Sequence, residues 1–97
     1  MNVNVQSIKF DADRKLIEFV EKKVSKLERF FEGIVGADVY LRLENHPVEN
    51  KKVEIRLKVP MHDVFAERVS KTFEEAVDLC IDALKPQLTK VKEKLRS

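Results

Sequence analysis

Glycine is scarce in this chain: Gly33 and Gly36 are the only two among 97 residues. A phosphate-cradling loop needs several glycines close together, so a nucleotide-hydrolysing role has no support. Cysteine is scarcer still. Cys80 stands alone, which excludes an intrachain disulfide and any CxxC metal or redox motif. Its surroundings, DLCIDAL, read as a small core position on a helix. The two histidines, His46 and His62, both fall in predicted turns, and Asp63 is the one acidic neighbour of note, so neither a metal site nor a histidine-based catalytic pair is expected. No stretch approaches the ~20 apolar residues of a membrane span. The start, MNVNVQSIKF, alternates polar and apolar residues where a secretory signal needs a basic patch followed by an apolar run. The expectation is a cytoplasmic protein with no cofactor, metal, membrane partner or small-molecule substrate. Carboxylates are many but scattered among lysines, the pattern of surface salt bridges rather than acid/base chemistry, so an enzyme is not expected.

What is present suits one domain spanning residues 1–97: 43% of residues are apolar and 37% charged, a modest core under a heavily charged surface. There is no internal repeat, low-complexity segment or linker. Residues 2 to 8 place Val3 and Val5 opposite Asn2, Asn4 and Gln6, as a half-buried strand requires. From Asp13 the apolar positions become Leu16, Val20, Val24, Leu27 and Phe31, spaced by three and four, which predicts a helix capped by Asp11 or Asp13 and stopped at Gly33. ADVYLRLE and KKVEIRLKV return to alternation, separated by the loop NHPVEN, and predict an antiparallel hairpin with one wet face. After the turn PMHD, VFAERV predicts a short edge strand. Phe73, Val77, Ile81, Leu84, Leu88, Val91 and Leu95 then describe a long amphipathic helix. The order is β-α-β-β-β-α, a two-layer α+β domain in which two helices cover the apolar face of a four-stranded sheet.

The formal net charge is only +2, so its distribution matters more than its sum. Residues 71 to 82 carry Lys71 against Glu74, Glu75, Asp78 and Asp82, whereas residues 85 to 97 carry Lys85, Lys90, Lys92, Lys94 and Arg96 against Glu93. The helix macrodipole favours this polarity by ~0.3–1 kcal/mol per charge, but only in the terminal turns, which accounts for about two of the bases. On the first helix Lys15, Lys22, Lys26 and Arg29 fall on one stripe, diluted by Glu18, at about 100° per residue. Two helices side by side would thus present parallel basic ridges. On charge alone a solvated surface and an anion-binding surface both remain open. The sheet is a poor RNA platform: Tyr40 is the one confident aromatic on its open face, where an RNA-recognition motif stacks bases on two or three. If RNA is bound, the helices bind it.

The ordered features VNVQSIKF, the basic first helix, ADVYLRLE followed by KKVEIRLKV, and FEEAVDLCIDALKPQLTKVKEKL resemble the ribosome hibernation-promoting factors. These are also called ribosome-associated inhibitors or the sigma-54 modulation family, and the likeness covers essentially the whole chain. In the last helix Phe73, Ala76, Asp78, Asp82, Leu84, Gln87, Leu88, Lys90, Lys92 and Lys94 occupy places matching the family's pattern, whereas Ala83, Pro86 and Thr89 stand where many members carry Lys or Arg. The resemblance implies a layout related to double-stranded-RNA-binding domains. It also implies a site on the small ribosomal subunit, in the channel for messenger RNA and the A- and P-site transfer RNAs, where occupation blocks translation and protects idle ribosomes. Members of the long form carry a C-terminal dimerisation domain; this chain reads as the short form. The residues expected to meet 16S rRNA are Lys22, Lys23, Lys26, Arg29, Lys85, Gln87, Lys90, Lys92, Lys94 and Arg96. A free-standing double-stranded-RNA module and a small protein-interaction domain with solubilising lysines are the alternatives. Pro86 adds one structural expectation. It lacks an N–H and crowds the carbonyl of Asp82, so a bend or break is expected between Asp82 and Pro86, re-aiming the segment from Lys90 to Arg96.

Overall fold

The alternating segments pair into a single mixed sheet. In the computed structural model, which describes residues 1–96, β1 (Asn2–Ser7), β2 (Gly36–Leu43), β3 (Lys51–Lys58) and β4 (Val64–Ser70) lie in the order β1-β2-β3-β4. The pair β1/β2 is parallel, with Val5 beside Val39; β2/β3 and β3/β4 are antiparallel, with Val39 opposite Ile55 and Ile55 opposite Ala66. A parallel neighbour needs a crossover, and the first helical segment supplies it. The alternation of β2, β3 and β4 therefore delivers Val39, Leu41, Val53, Ile55, Leu57 and Ala66 to one face, where they are buried.

The predicted first helix is two pieces. Helix α1 (Arg14–Ser25) is followed, past Lys26, by the one-turn α2 (Leu27–Phe30), and the chain turns extended at Phe31, before Gly33. Asp13 is the cap, its carboxylate accepting from the Leu16 N–H at 2.8 Å. Gly33 is needed for space: a Cβ there would lie 2.8 Å from the ring of Phe31, which is itself buried.

Helix α3 (Phe73–Arg96) runs through Pro86 without interruption, so of the bend or break expected between Asp82 and Pro86 the break does not occur. Leu84, Leu88 and Val91 are all fully or nearly fully buried, and keeping both sides of Pro86 on one apolar seam outweighs the one hydrogen bond the proline removes. Pro86 itself is exposed, so its ring displaces no core side chain. The Thr72 hydroxyl caps the N-terminus, accepting from the Glu75 N–H at 3.1 Å. Nearby, Phe10 in the β1–α1 connection stacks on Phe73, with ring centroids 5.3 Å apart, which ties that loop to the start of α3. The core thus lies between the sheet and the helix layer, leaving the outer surfaces of both layers for function.

Candidate nucleic-acid interface

The two outer surfaces carry bases in opposite circumstances. On the open sheet face each base is matched to a carboxylate. Lys52 approaches Glu67 at 3.0 Å, Glu44 at 3.3 Å and Glu54 at 3.6 Å; Arg42 meets Glu54 at 3.2 Å, Lys58 meets Asp38 at 3.6 Å, and Arg56 meets Asp63 at 3.8 Å. Cross-strand register produces these pairs, since Arg42, Lys52 and Glu54 are near neighbours across β2 and β3, and Glu54 lies opposite Glu67. Hydrogen bonds from Lys52 to Glu67, and then to Glu44, hold that ammonium above the usual lysine range. Arg56 also sits over the Phe65 ring and Arg42 over Tyr40. This face is neutralised by its own residues.

The helical surface is different. Lys22, Lys26, Arg29, Lys85, Lys90 and Arg96 are exposed and form no ion pair with a carboxylate among the described residues. Two bases of α1 are paired: Arg14 meets Glu18 one turn on at 3.6 Å, and Lys23 reaches across to Asp78 of α3 at 3.4 Å while lying 5.6 Å from the centre of the Phe19 ring. The Lys92 ammonium lies 4.6 Å from the centroid of Phe30. Lys94 is exposed near the end of α3.

Tertiary packing sorts the expected residues into two flanks of α3. Between α1–α2 and α3 runs a cleft of about 590 Å³ whose rim brings together Lys23, Lys26, Arg29 and Lys85. A neighbouring cleft of about 350 Å³ carries Arg29, Lys92 and Arg96. On the far flank, beside the start of β4, Lys90 and Lys94 share a smaller cleft of about 230 Å³ with His62 and Gln87. Lys22 lines none of these clefts. The division was present in the spacing: 85, 92 and 96 differ by seven and four, and 90 and 94 by four, which at about 100° per residue gives two stripes rather than one ridge.

Gln87 has a different employment from the lysines around it. Its Nε2 donates to the Phe65 carbonyl at 2.8 Å, while its Oε1 accepts from the Phe65 N–H at 3.3 Å. Its carboxamide is thereby committed to the edge of β4.

Sequence reasoning left three residues that shape the first cleft out of the expected contacts. Phe30 and Ile81 are half-buried walls beside the buried Leu27, and Asp82 is an exposed carboxylate with no ion pair among the described residues. Phe30 was legible only as an aromatic one position off the apolar seam. Cys80 plays no part in this surface: it is fully buried, its thiol donating toward the Val53 carbonyl at 3.4 Å, and burial pushes its pKa up to about 12. No cluster of His, Cys, Asp and Glu able to hold a metal ion occurs among the described residues, and no helix among them is long and apolar enough to cross a membrane.

Comparison with known proteins fits this geometry. The family described as sigma 54 modulation protein / S30EA ribosomal protein matches residues 3–96. A ribosome hibernation promoting factor of Azotobacter vinelandii is 35% identical over 94 residues, covering 97% of this chain and 85% of the relative. A ribosome hibernation promotion factor of Bacillus subtilis is 33% identical over 97 residues, and this chain spans half of that relative's length. Among solved structures, a ribosomal subunit interface protein from Coxiella burnetii superposes with a TM-score of 0.84 at 24% identity, covering 96% of this chain and 99% of that one, a likeness of fold.

Proposed function

The chain belongs to the sigma 54 modulation protein / S30EA ribosomal protein family, and on that premise we propose that it is a ribosome hibernation factor acting by occupation rather than catalysis. One observation carries the reading: among the described residues Lys22, Lys26, Arg29, Lys85, Lys90 and Arg96 on the helical surface have no carboxylate partner, whereas the bases on the open sheet face are matched pair by pair. Unpaired cations on a rigid two-helix surface suit a phosphate backbone, because each contact releases counterions and needs no base-specific chemistry. The partner is the small ribosomal subunit through its 16S rRNA, in the messenger and A- and P-site transfer RNA channel, within the cytoplasm. Lys26, Arg29, Lys85 and Arg96 form the central contact, with Lys22, Lys23 and Lys92 beside them and Lys90 and Lys94 on the second flank. Gln87 contributes by fixing α3 against β4.

Sedimentation through a sucrose gradient tests this. The protein should travel with small subunits or 70S particles from stationary cells and leave them as salt is raised. A protein that stays at the top of the gradient contradicts the proposal. If it instead retains naked duplex RNA, the free-standing double-stranded-RNA reading takes its place.

A further inference from the structure

The cleft between α1–α2 and α3 is built for more than phosphates. Its walls, Leu27, Phe30 and Ile81, are apolar, and its volume of about 590 Å³ falls within the range of small-ligand sites. Lys26, Arg29 and Lys85 stand on its rim without carboxylate partners among the described residues, while the charges of Lys23 and Asp78 are met by each other at 3.4 Å. Asp82 remains. A bare carboxylate is out of place on a surface shaped only to attract phosphates, since it repels them. Its use becomes clear if a nucleobase enters, because a carboxylate accepts from the N–H edge of a base and guanine offers two donors side by side.

We propose that this cleft receives one unpaired nucleotide of RNA, its base against Phe30 and Ile81, its N–H edge on Asp82, and its flanking phosphates on Lys26, Arg29 and Lys85. Guanine fits best. Phe30 borders both this cleft and the adjoining one, and Lys92 sits over its ring at 4.6 Å, so a cation on one face leaves the other for a stacked base. Pro86 adds to the acceptor character of the rim, because the residue four positions after Asp82 has no N–H to give its carbonyl. Charge complementarity chooses this occupant over an acidic peptide: a peptide carboxylate would gain the same cations but would be repelled by Asp82 and would leave the apolar walls unfilled.

The inference rests on the ribosome-binding reading, and one experiment separates their failures. Small subunits are titrated with wild-type protein, Asp82→Asn and Ile81→Trp, each checked for a native circular dichroism melt, and the rRNA is probed with kethoxal, which modifies the N1/N2 edge of unpaired guanines. The wild-type protein should protect a guanine. Asp82→Asn should lose that protection and weaken binding by about fivefold or more, the scale of one base contact, although removing a negative charge would strengthen a purely electrostatic complex. Ile81→Trp, which fills the cleft, should weaken binding and lose the same protection. Should wild-type protein fail to sediment with subunits, the hibernation reading itself falls. Should all three bind with identical footprints, or Asp82→Asn bind more tightly, only the nucleotide proposal is overturned. Loss of binding by Ile81→Trp with no guanine protected in any complex would assign the cleft to a protein segment instead, and equally overturns it.

Discussion

Gln87 and Phe65 are joined by a pair of hydrogen bonds in which the side chain of one imitates a strand for the other. The carboxamide donates to the Phe65 carbonyl at 2.8 Å and accepts from its N–H at 3.3 Å, closing the outward backbone of the edge strand β4. A second cap lies two residues on, where the Arg68 guanidinium donates to the Glu67 carbonyl at 2.7 Å. An edge strand invites pairing with another chain, and these side chains occupy the groups that would do so.

Replacing Gln87 with Ala should therefore lower stability by about 1–2 kcal/mol, the scale of two hydrogen bonds on a partly exposed strand edge. Chemical denaturation measures it. Ribosome affinity should change little under conditions where the variant is folded; a large loss with unchanged stability would mean that Gln87 touches RNA directly.

The contrast between the two surfaces predicts a contrast between variants. Replacing Lys85, Lys92 and Arg96 together with Ala should weaken ribosome binding far more than replacing Arg42, Arg56 and Lys58, because the second set already faces carboxylates. For four to six phosphate contacts, wild-type affinity should fall by roughly two to three decades between about 50 and 200 mM salt. Pelleting assays across a salt series read both effects, and equal losses from the two triple variants would place the RNA on the wrong face.

Pro86 lies inside an unbroken helix on its solvent side, so its replacement should be favourable. Pro86→Ala restores an N–H donor for the Asp82 carbonyl and removes a residue that costs up to about 3 kcal/mol in a helix interior. The melting temperature should rise, with little change in helical circular dichroism because the helix is already continuous. A fall in stability would show that α3 depends on a distortion at the proline.

Alkaline titration should reveal Cys80. Its thiol is held up to about 12 by burial, while an unfolded cysteine ionises near 9.0. Between these values the unfolded chain has lost a proton that the folded chain keeps, so stability falls as pH rises, by about 1.4 kcal/mol per pH unit for this group. Below pH 9 the contribution is constant. Cys80→Ala should be less stable at neutral pH, from the lost packing, yet show a shallower decline above pH 9. The native thiol should also resist alkylation at pH 8.

Packing at one further position has an opposite sign. Ser70 is 1% exposed and its hydroxyl finds no hydrogen-bond partner among the described residues. Ser70→Ala should be neutral or stabilising by up to about 1 kcal/mol, because it removes a desolvated polar group and keeps nearly the same volume. A loss of more than that in a thermal melt would imply a bound water or another partner for the hydroxyl.

The order of elements and the layer they form were determined by the sequence alone. Strict alternation at Val39, Leu41, Val53, Ile55 and Leu57, and three-and-four spacing at Val20, Val24, Leu84, Leu88 and Val91, are local patterns with one way to bury their apolar sides, and each of these residues is in the core. The presence of bases on the helices was equally legible, since a residue type does not depend on the fold. Only the tertiary structure decided which bases are unpaired, because a lysine's partner can be far away in sequence: Lys23 meets Asp78 on another helix, and Lys52 meets Glu67 on another strand. It also decided the fate of Gln87, whose carboxamide could not be assigned to the Phe65 backbone before α3 was laid beside β4. Pro86 shows the same rule from the opposite direction. Local chemistry argued for a bend or a break, and the helix is unbroken because Leu84, Leu88 and Val91, buried against the rest of the chain, contribute more than one backbone hydrogen bond.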